Sequence, residues 1–353
     1  MAKKKKKSIS GRKKFLIAFG GIIFLSILII AFNFFLKICA PSVSVNPKEP
    51  FLYIPTGSNY DQLLAIIEKN HLVHSIENFD WVARQMNLQN NVHAGKYRIE
   101  NRMSNYALAK LLRSGIQEPV KLVLNKFRLK EQLVSYVSHK LETDSLTLIT
   151  ALNDSIYLRR FDITPDEAMA LFIPNTYQFS WNTPAEKFLE RMKREYDTFW
   201  NEARKQEALL QKLKPVEVII LASIVEEETN YNPEKPVIAG VYLNRLGRGM
   251  NLQADPTVKF AMRNFALRRI LEAYLNYNSD YNTYQHKGLP PGPICTPSIA
   301  SIDAVLHAEH HDYFYFCADP DKPGTHAFAE TLREHQLNAK RYQHWLDQQP
   351  GRQ

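Results

Sequence analysis

The sequence predicts an α+β fold: an N-terminal single transmembrane helix, a small α+β module, and a larger mixed α+β domain. Three observations lead there. Phe15 to Leu36 carries no charged residue over 22 positions. From Phe51 to Gly115, short strand-like runs alternate with segments of helical periodicity. From Pro215 to about Leu346, an apolar helix gives way to dense Gly, Pro, Asn and Tyr and then to a Tyr/Phe-rich strand at Tyr313 to Phe316. A length of 353 residues with 45% hydrophobic content fits a packed chain of two or three domains.

The charge is uneven. Lys+Arg number 45 against 36 Asp+Glu, a net charge of +9, but Lys3 to Lys7, Arg12, Lys13 and Lys14 hold eight of the cations. Without them, 37 positive charges face 36 negative ones from Phe15 onward. A near-neutral body excludes a broad nucleic-acid-binding face. The tail instead fits the positive-inside rule for the apolar run behind it, which as a helix would be about 33 Å long, enough to cross a hydrocarbon core of roughly 30 Å. The alternatives are a buried soluble helix and a cleaved signal peptide. The apolar run is longer than a signal peptide needs, and Ile38-Cys39-Ala40-Pro41 is a poor cleavage site. Leu36-Lys37-Ile38-Cys39 departs from a lipidation box at Lys37 and Ile38. The expected topology is a single-pass anchor with a cytoplasmic N-terminus and an exported body. There Cys295 and Cys317 are permitted to pair, although Cys317, inside the apolar run Tyr313 to Ala318, reads better as a buried free thiol.

The expected organisation is a basic tail at 1–14, the anchor at 15–36, a linker at 37–50 with Pro41, Pro47 and Pro50, the small module at 51–119, a mainly helical connecting region at 120–212 and the last domain at 213–348. Within the module a strand is expected at Phe51 to Ile54 and helices at Tyr60 to Lys69 and Ile76 to Gln85. A turn then runs into a strand at His93 to Ile99, and a helix from Ser104 ends at Ser114-Gly115. A strand comes next at Val120 to Leu124. The helical pattern from Leu129 to Lys212 is interrupted at Ile173 to Tyr177 and at Asn182 to Pro184.

Chemistry concentrates at Val216 to Glu228, a helix that starts one residue after Pro215. At ~100° per residue, Val218, Leu221, Ile224 and Val225 share a face whose next position is Glu228, while Glu226 and Glu227 fall off it. Three carboxylates at a helix C-terminus oppose the macrodipole and repel one another, so the pKa of at least one should rise, as a general acid at neutral pH requires. The alternative is a solvated helix end.

The residues downstream of this helix decide between the two. Ala222-Ser223-Ile224-Val225-Glu226-Glu227-Glu228-Thr229 is succeeded by Val241-Tyr242-Leu243-Asn244-Arg245-Leu246, Gly249 to Val258, Tyr281-Asn282-Thr283-Tyr284, Gly288 to Ile294, Thr296-Pro297, and His326 with Phe328. In order and spacing this resembles the MltG-type (YceG-like) endolytic murein transglycosylases. Weaker matches lie at His93 to Arg98, Leu112 to Gly115 and Pro174 to Tyr177, and the small module resembles a LysM-like domain. Departures are Ser298, where a Gly commonly follows Thr-Pro, and a long loop at Asp319 to Gly324.

The resemblance implies an inner-membrane enzyme that cuts nascent peptidoglycan strands internally and leaves 1,6-anhydro-N-acetylmuramic acid ends. The essential acid of the motif falls on Glu228, the residue the helical stripe also selects. It makes 213–348 the catalytic domain and peptidoglycan glycan strands and the membrane the partners, with cell-wall synthases as further candidates, no nucleic acid and no cofactor. Asn244, Gln253, Asp255, Tyr281, Asn282, Tyr284 and His326 are the candidate substrate-binding residues, supplying hydrogen bonds and aromatic surface; Asp255 before Pro256 is equally a turn residue. His307-Ala308-Glu309-His310-His311 lacks the spacing of a zinc helix, and no metal is expected. Two rival readings remain: a non-catalytic, membrane-tethered peptidoglycan-binding scaffold, and a muramidase using Glu228 with Asp255.

Overall fold

The computed structural model describes residues 11–267 and 269–348; most of the expected 1–14 tail lies outside them. The chain divides into two compact units, Met1–Val120 with Ser180–Asn182, and Lys121–Phe179 with Thr183–Gln353.

The first unit opens with α1 (Gly11–Cys39), 29 residues with a mean hydropathy of 2.9 in its apolar window and none of that window buried. By length and composition it can cross a membrane. It outruns the expected 15–36 span because nothing stops the backbone before Ala40, which Pro41 biases away from helical angles. Its two polar side chains are satisfied within the helix: Ser26 donates to the Ile22 carbonyl at 2.9 Å and Asn33 to that of Ile29 at 2.8 Å.

β1 (Phe51–Ile54) pairs antiparallel with β2 (Gly95–Arg98), Phe51 opposite Arg98 and Ile54 opposite Gly95. Between these strands run α2 (Tyr60–Lys69) and α3 (Ile76–Gln85), and α4 (Asn105–Ser114) comes after β2. Local chemistry sets each boundary. Asn59 and Gln62 form a capping box at α2, Ser75 and Ser104 accept from the Asn78 and Ala107 amides, and Gly115 closes α4 at φ 67°, a left-handed position suited to glycine. Leu52, Ile54, Leu63, Ile67, Phe79, Tyr97, Leu108 and Leu112 form one core.

The expected linker at 37–50 is corrected in part. Val43 is buried in that same core, the amides of Ser42 and Val43 both donate to the Met103 carbonyl at 3.0 Å, and the Ser44 amide donates to Leu72 at 2.9 Å. The Asn105 amide caps the Lys37 carbonyl at 2.9 Å. An apolar Val within a polar stretch, with backbone groups to satisfy, docks rather than hangs free.

In the second unit β3 (Val120–Leu124) pairs with β4 (Asn175–Phe179), so the first interruption of the helical stretch is itself a strand. Around this pair lie α5 (Lys130–Lys140), α6 (Ser145–Ala151), α7 (Ser155–Arg159), α8 (Ala185–Phe199) and α9 (Glu202–Leu210). α10 (Pro215–Glu228) is the axis of the unit: every residue from Val218 to Val225 is buried, because α9, α11 (Lys235–Gly247), α12 (Asp255–Ala261) and α13 (Ile299–Leu306) all pack on it. Helix burial on all sides explains why its apolar stripe is weak. Ser223, on this helix, donates to the Ile220 carbonyl and accepts from the Ile294 amide at 3.0 Å, which pins the Pro-rich loop to α10. Thr296 ties the other side of that loop to Asn125 and Phe127.

The unit closes with β5 (Tyr315–Ala318), antiparallel to β6 (His326–Ala329), and with α14 (Leu332–Asp347) packed on both. The observed strand starts two residues after the expected Tyr313. The cysteines are free, and it is Cys295 that is fully buried, whereas Cys317 is only half-buried.

Close approach explains one glycine. A Cβ on Gly240 of α11 would stand 2.4 Å from the Glu309 carbonyl oxygen and 2.6 Å from His311 Nε2. Gly to Ala in a helix ordinarily gains about 1 kcal/mol, but overpacking against backbone costs about 1–3 kcal/mol. Gly240→Ala should therefore lower the thermal midpoint by a few degrees; a raised midpoint in calorimetry would refute the contact.

Candidate active site

α10 ends in three glutamates, and helical geometry points them in three directions, since successive residues turn by ~100°. Glu226 meets α11 and α13: Lys235 Nζ lies 3.0 Å from its Oε2, and the Ser298 and Ser301 hydroxyls donate to the same oxygen at 2.6 Å. Burial pushes its pKa up, but these hydrogen bonds outweigh burial and hold the carboxyl below its ordinary value. Glu227 meets the segment after β3, with Lys126 at 2.9 Å and Arg128 in a two-pronged pair at 3.0 and 2.9 Å. There too, burial is outweighed and the pKa falls.

Glu228 differs. It has no salt bridge among the described residues, and its Oε1 accepts a 2.5 Å hydrogen bond from the Tyr242 hydroxyl. Burial dominates and pushes its pKa up to about 7; the Tyr242 bond opposes the rise and the charge of Asp255 adds to it. Protein crowds the carboxyl on nearly every side, yet the residue keeps some accessible surface through the cleft it lines. Tyr242 is fully buried, with its own pKa raised by burial and by Glu228, and so remains a donor.

Two cavities meet at this carboxyl. One, of about 380 Å³, is walled by Glu228, Tyr242, Arg245, Gln253, Asp255, Tyr284, Phe316 and His326. The other, of about 710 Å³, runs past Asn230, Tyr231, Thr325 and Tyr342. Glu228, Ala318 and His326 belong to both. Within the first, the Tyr284 hydroxyl donates to Asp255 Oδ1 at 2.6 Å, and Arg245 Nη1 donates to Gln253 Oε1 at 3.1 Å and to the Leu252 carbonyl at 2.8 Å while its Nε holds the Phe314 carbonyl.

Of the residues singled out in the sequence, Glu228, Gln253, Asp255, Tyr284 and His326 thus share one cleft. Asn244, Tyr281 and Asn282 lie outside both cavities. Asn244 donates to the His311 and Tyr313 carbonyls at 2.7 and 3.0 Å, holding the approach to β5. Asn282 is fully buried and staples its own loop through Leu275 and Tyr277, and Tyr281 stacks near Phe260 beside Asp166. Tyr242 and Arg245 were missed. Their signal was spacing: Ile238, Tyr242 and Arg245 recur at helical intervals on one face of α11, and Asn244 falls on another. In the histidine cluster, His307 Nε2 lies 3.3 Å from Glu207 and His311 Nε2 lies 2.9 Å from the Val237 carbonyl.

The YceG-like family profile matches residues 52–341, most of the chain and all of this cleft. The chain belongs to the YceG-like family. It is 27% identical over 305 residues to a Bacillus subtilis protein named endolytic murein transglycosylase, covering 82% of this chain and 83% of that one. A protein of the same name from Streptococcus pneumoniae is 26% identical over 361 residues; the match covers 92% of this chain but 64% of the relative. The crystal structure of a YceG-like protein from Listeria monocytogenes superposes with a TM-score of 0.56 at 27% identity, covering 81% of this chain and 97% of that one.

The raised Glu228 pKa carries a stability consequence. Between the ordinary carboxylate pKa and about 7 the folded chain holds a proton that the unfolded chain has lost, so stability falls as pH rises through that window. Glu228→Gln removes the penalty while still accepting from Tyr242. Relative to the parent it should gain up to about 3 kcal/mol at pH 8 and almost nothing at pH 4, read by denaturant unfolding at the two pH values.

Proposed function

We propose that this chain is a membrane-anchored lytic transglycosylase that cuts peptidoglycan glycan strands within the chain, with Glu228 as the acid and final base. The observation that carries the reading is a carboxyl group with no salt bridge among the described residues and a pKa of about 7, at the junction of two cavities. A cleft that continues past the acid on both sides suits a polymer cut internally. The name shared by the Bacillus and Streptococcus relatives supports the substrate class.

One carboxyl suffices for this chemistry. Protonated Glu228 gives its proton to the bridging oxygen, the C1–O bond breaks, and the leaving sugar keeps the electron pair. The C6 hydroxyl of the muramic residue then attacks C1, and its proton returns to the carboxylate, so no water is consumed. An internal nucleophile has an effective concentration of roughly 10⁵–10⁸ M, which removes the need for a second carboxylate to activate water. Gln253, Asp255, Tyr284 and His326 bind sugar around the acid in this reading, while Asn244, Tyr281 and Asn282 act through the fold. Asp255 in the same cleft favours one rival, a two-carboxylate muramidase leaving reducing ends.

The domain scheme follows from the same reading: residues 1–14 cytoplasmic, α1 across the inner membrane, the module at 51–119 LysM-like, and the catalytic domain at 213–348 on the outer side, within reach of cell-wall synthases. A reporter fused to the C-terminus should be active only outside the cytoplasm; cytoplasmic activity would reverse the topology.

Mass spectrometry of products from purified glycan strands tests the reaction. The parent should release anhydro ends from internal positions, and Glu228→Gln none while unfolding cooperatively. Reducing ends would install the muramidase, and no cleavage by the parent would leave a binding scaffold.

A further inference from the structure

Glu234, in the short turn of residues 232–234 before α11, is buried, and both its oxygens serve one residue. Oε1 accepts from the His326 backbone amide and Oε2 lies against His326 Nδ1, each at 2.7 Å. His326 is its only ion-pair partner among the described residues. Burying a carboxylate costs free energy that a purely structural contact does not require. Because the carboxylate can only accept, Nδ1 carries the hydrogen, and in the neutral ring the lone pair is then on Nε2.

Placement gives that nitrogen a use. β-pairing sets His326 opposite Ala318, and these two with Glu228 are the residues common to both cavities. Phe316 holds the ring edge-on at 5.2 Å, and Tyr242, which bonds Glu228, touches the same Phe316 at 5.8 Å. Nε2 has no protein partner among the described residues. A carboxylate that fixes one imidazole nitrogen so that the other works as a base is a recurrent catalytic arrangement.

We propose that His326, positioned by Glu234, takes the proton of the muramic C6 hydroxyl and relays it to Glu228. The inference rests on the lytic reading of the cleft. Glu228 protonates the leaving oxygen as the C1–O bond breaks; the C6 oxygen bonds to C1 and gives its proton to Nε2; the imidazolium then returns that proton to the Glu228 carboxylate. Both groups end as they began, with no water, oxidant or reductant used.

Glu234 holds Nδ1, and the charged and titratable groups that line the cavities with the ring are Glu228, Asp255, Arg245, His335, Cys317, Tyr242, Tyr284, Tyr315, Tyr231 and Tyr342. Turnover therefore requires a lone pair on His326 Nε2 and a proton on Glu228, and the rate should fall as pH rises through about 7, where Glu228 loses that proton. The full chain in detergent is assayed on purified glycan strands, with unfolding curves run alongside. His326→Ala should lower kcat about 10²-fold or more, beyond any rise in KM from the lost sugar contact, still yield anhydro ends, and regain part of its rate on addition of imidazole, which should do nothing for Glu228→Gln. Glu234 acts only through the ring, so Glu234→Gln should lower kcat in the parent and add little to the loss already present in His326→Ala. Unchanged kcat in His326→Ala, a lost rate that imidazole does not restore, or full additivity of Glu234→Gln with His326→Ala would overturn the relay. Absence of anhydro ends from the parent would instead sink the underlying reading, so the two failures are distinguishable.

Discussion

Three adjacent carboxylates at the C-terminus of a buried helix are electrostatically unfavourable, and the second unit is arranged around relieving that strain unequally. Glu226 is answered by Lys235 from α11 and by the two serines at the start of α13; Glu227 is answered by Lys126 and Arg128 from the segment after β3. Each answer also fastens a different element to the end of α10. Ser298 serves at once as the N-cap of α13 and as a donor to Glu226. The third carboxylate is left with a tyrosine hydroxyl. Deeper burial and the lack of a cationic answer together separate one glutamate that keeps its proton near neutrality from two that are charged.

Much of this was legible in the sequence, and for physical reasons. Caps, turn residues and alternating apolar positions are local, so the strand at Phe51–Ile54 and the helices at Tyr60–Lys69 and Ile76–Gln85 match what the sequence predicts residue for residue. β6 and α14 were not anticipated: β6 is four residues long and depends on its partner strand, and α14 has no fully buried residue to mark a face. The stripe along α10 pointed toward Glu228, but the helix is apolar on every side, so periodicity there could only express a preference.

Within the cleft the sequence separated poorly between residues that line it and residues that build it. Asn244 and Asn282 are polar and sit inside specific motifs, yet both satisfy backbone carbonyls. A buried amide side chain is well suited to that work, with donor and acceptor to place among irregular backbone, and composition alone does not say whether its partner is a loop or a sugar. Tyr242 went unnoticed for the converse reason, since a tyrosine on an apolar helix face looks like core until its hydroxyl is seen against Glu228.

The docking of residues 41–45 into the first unit bears on mechanics. Fourteen residues of free chain between α1 and the module would extend to about 46 Å and let the module wander over a wide volume around the helix end. With Val43 in the core and Lys37 capped by Asn105, that slack is taken up. The module rides on the end of α1 like a head on a mast, with α3 and α4 packed against that helix.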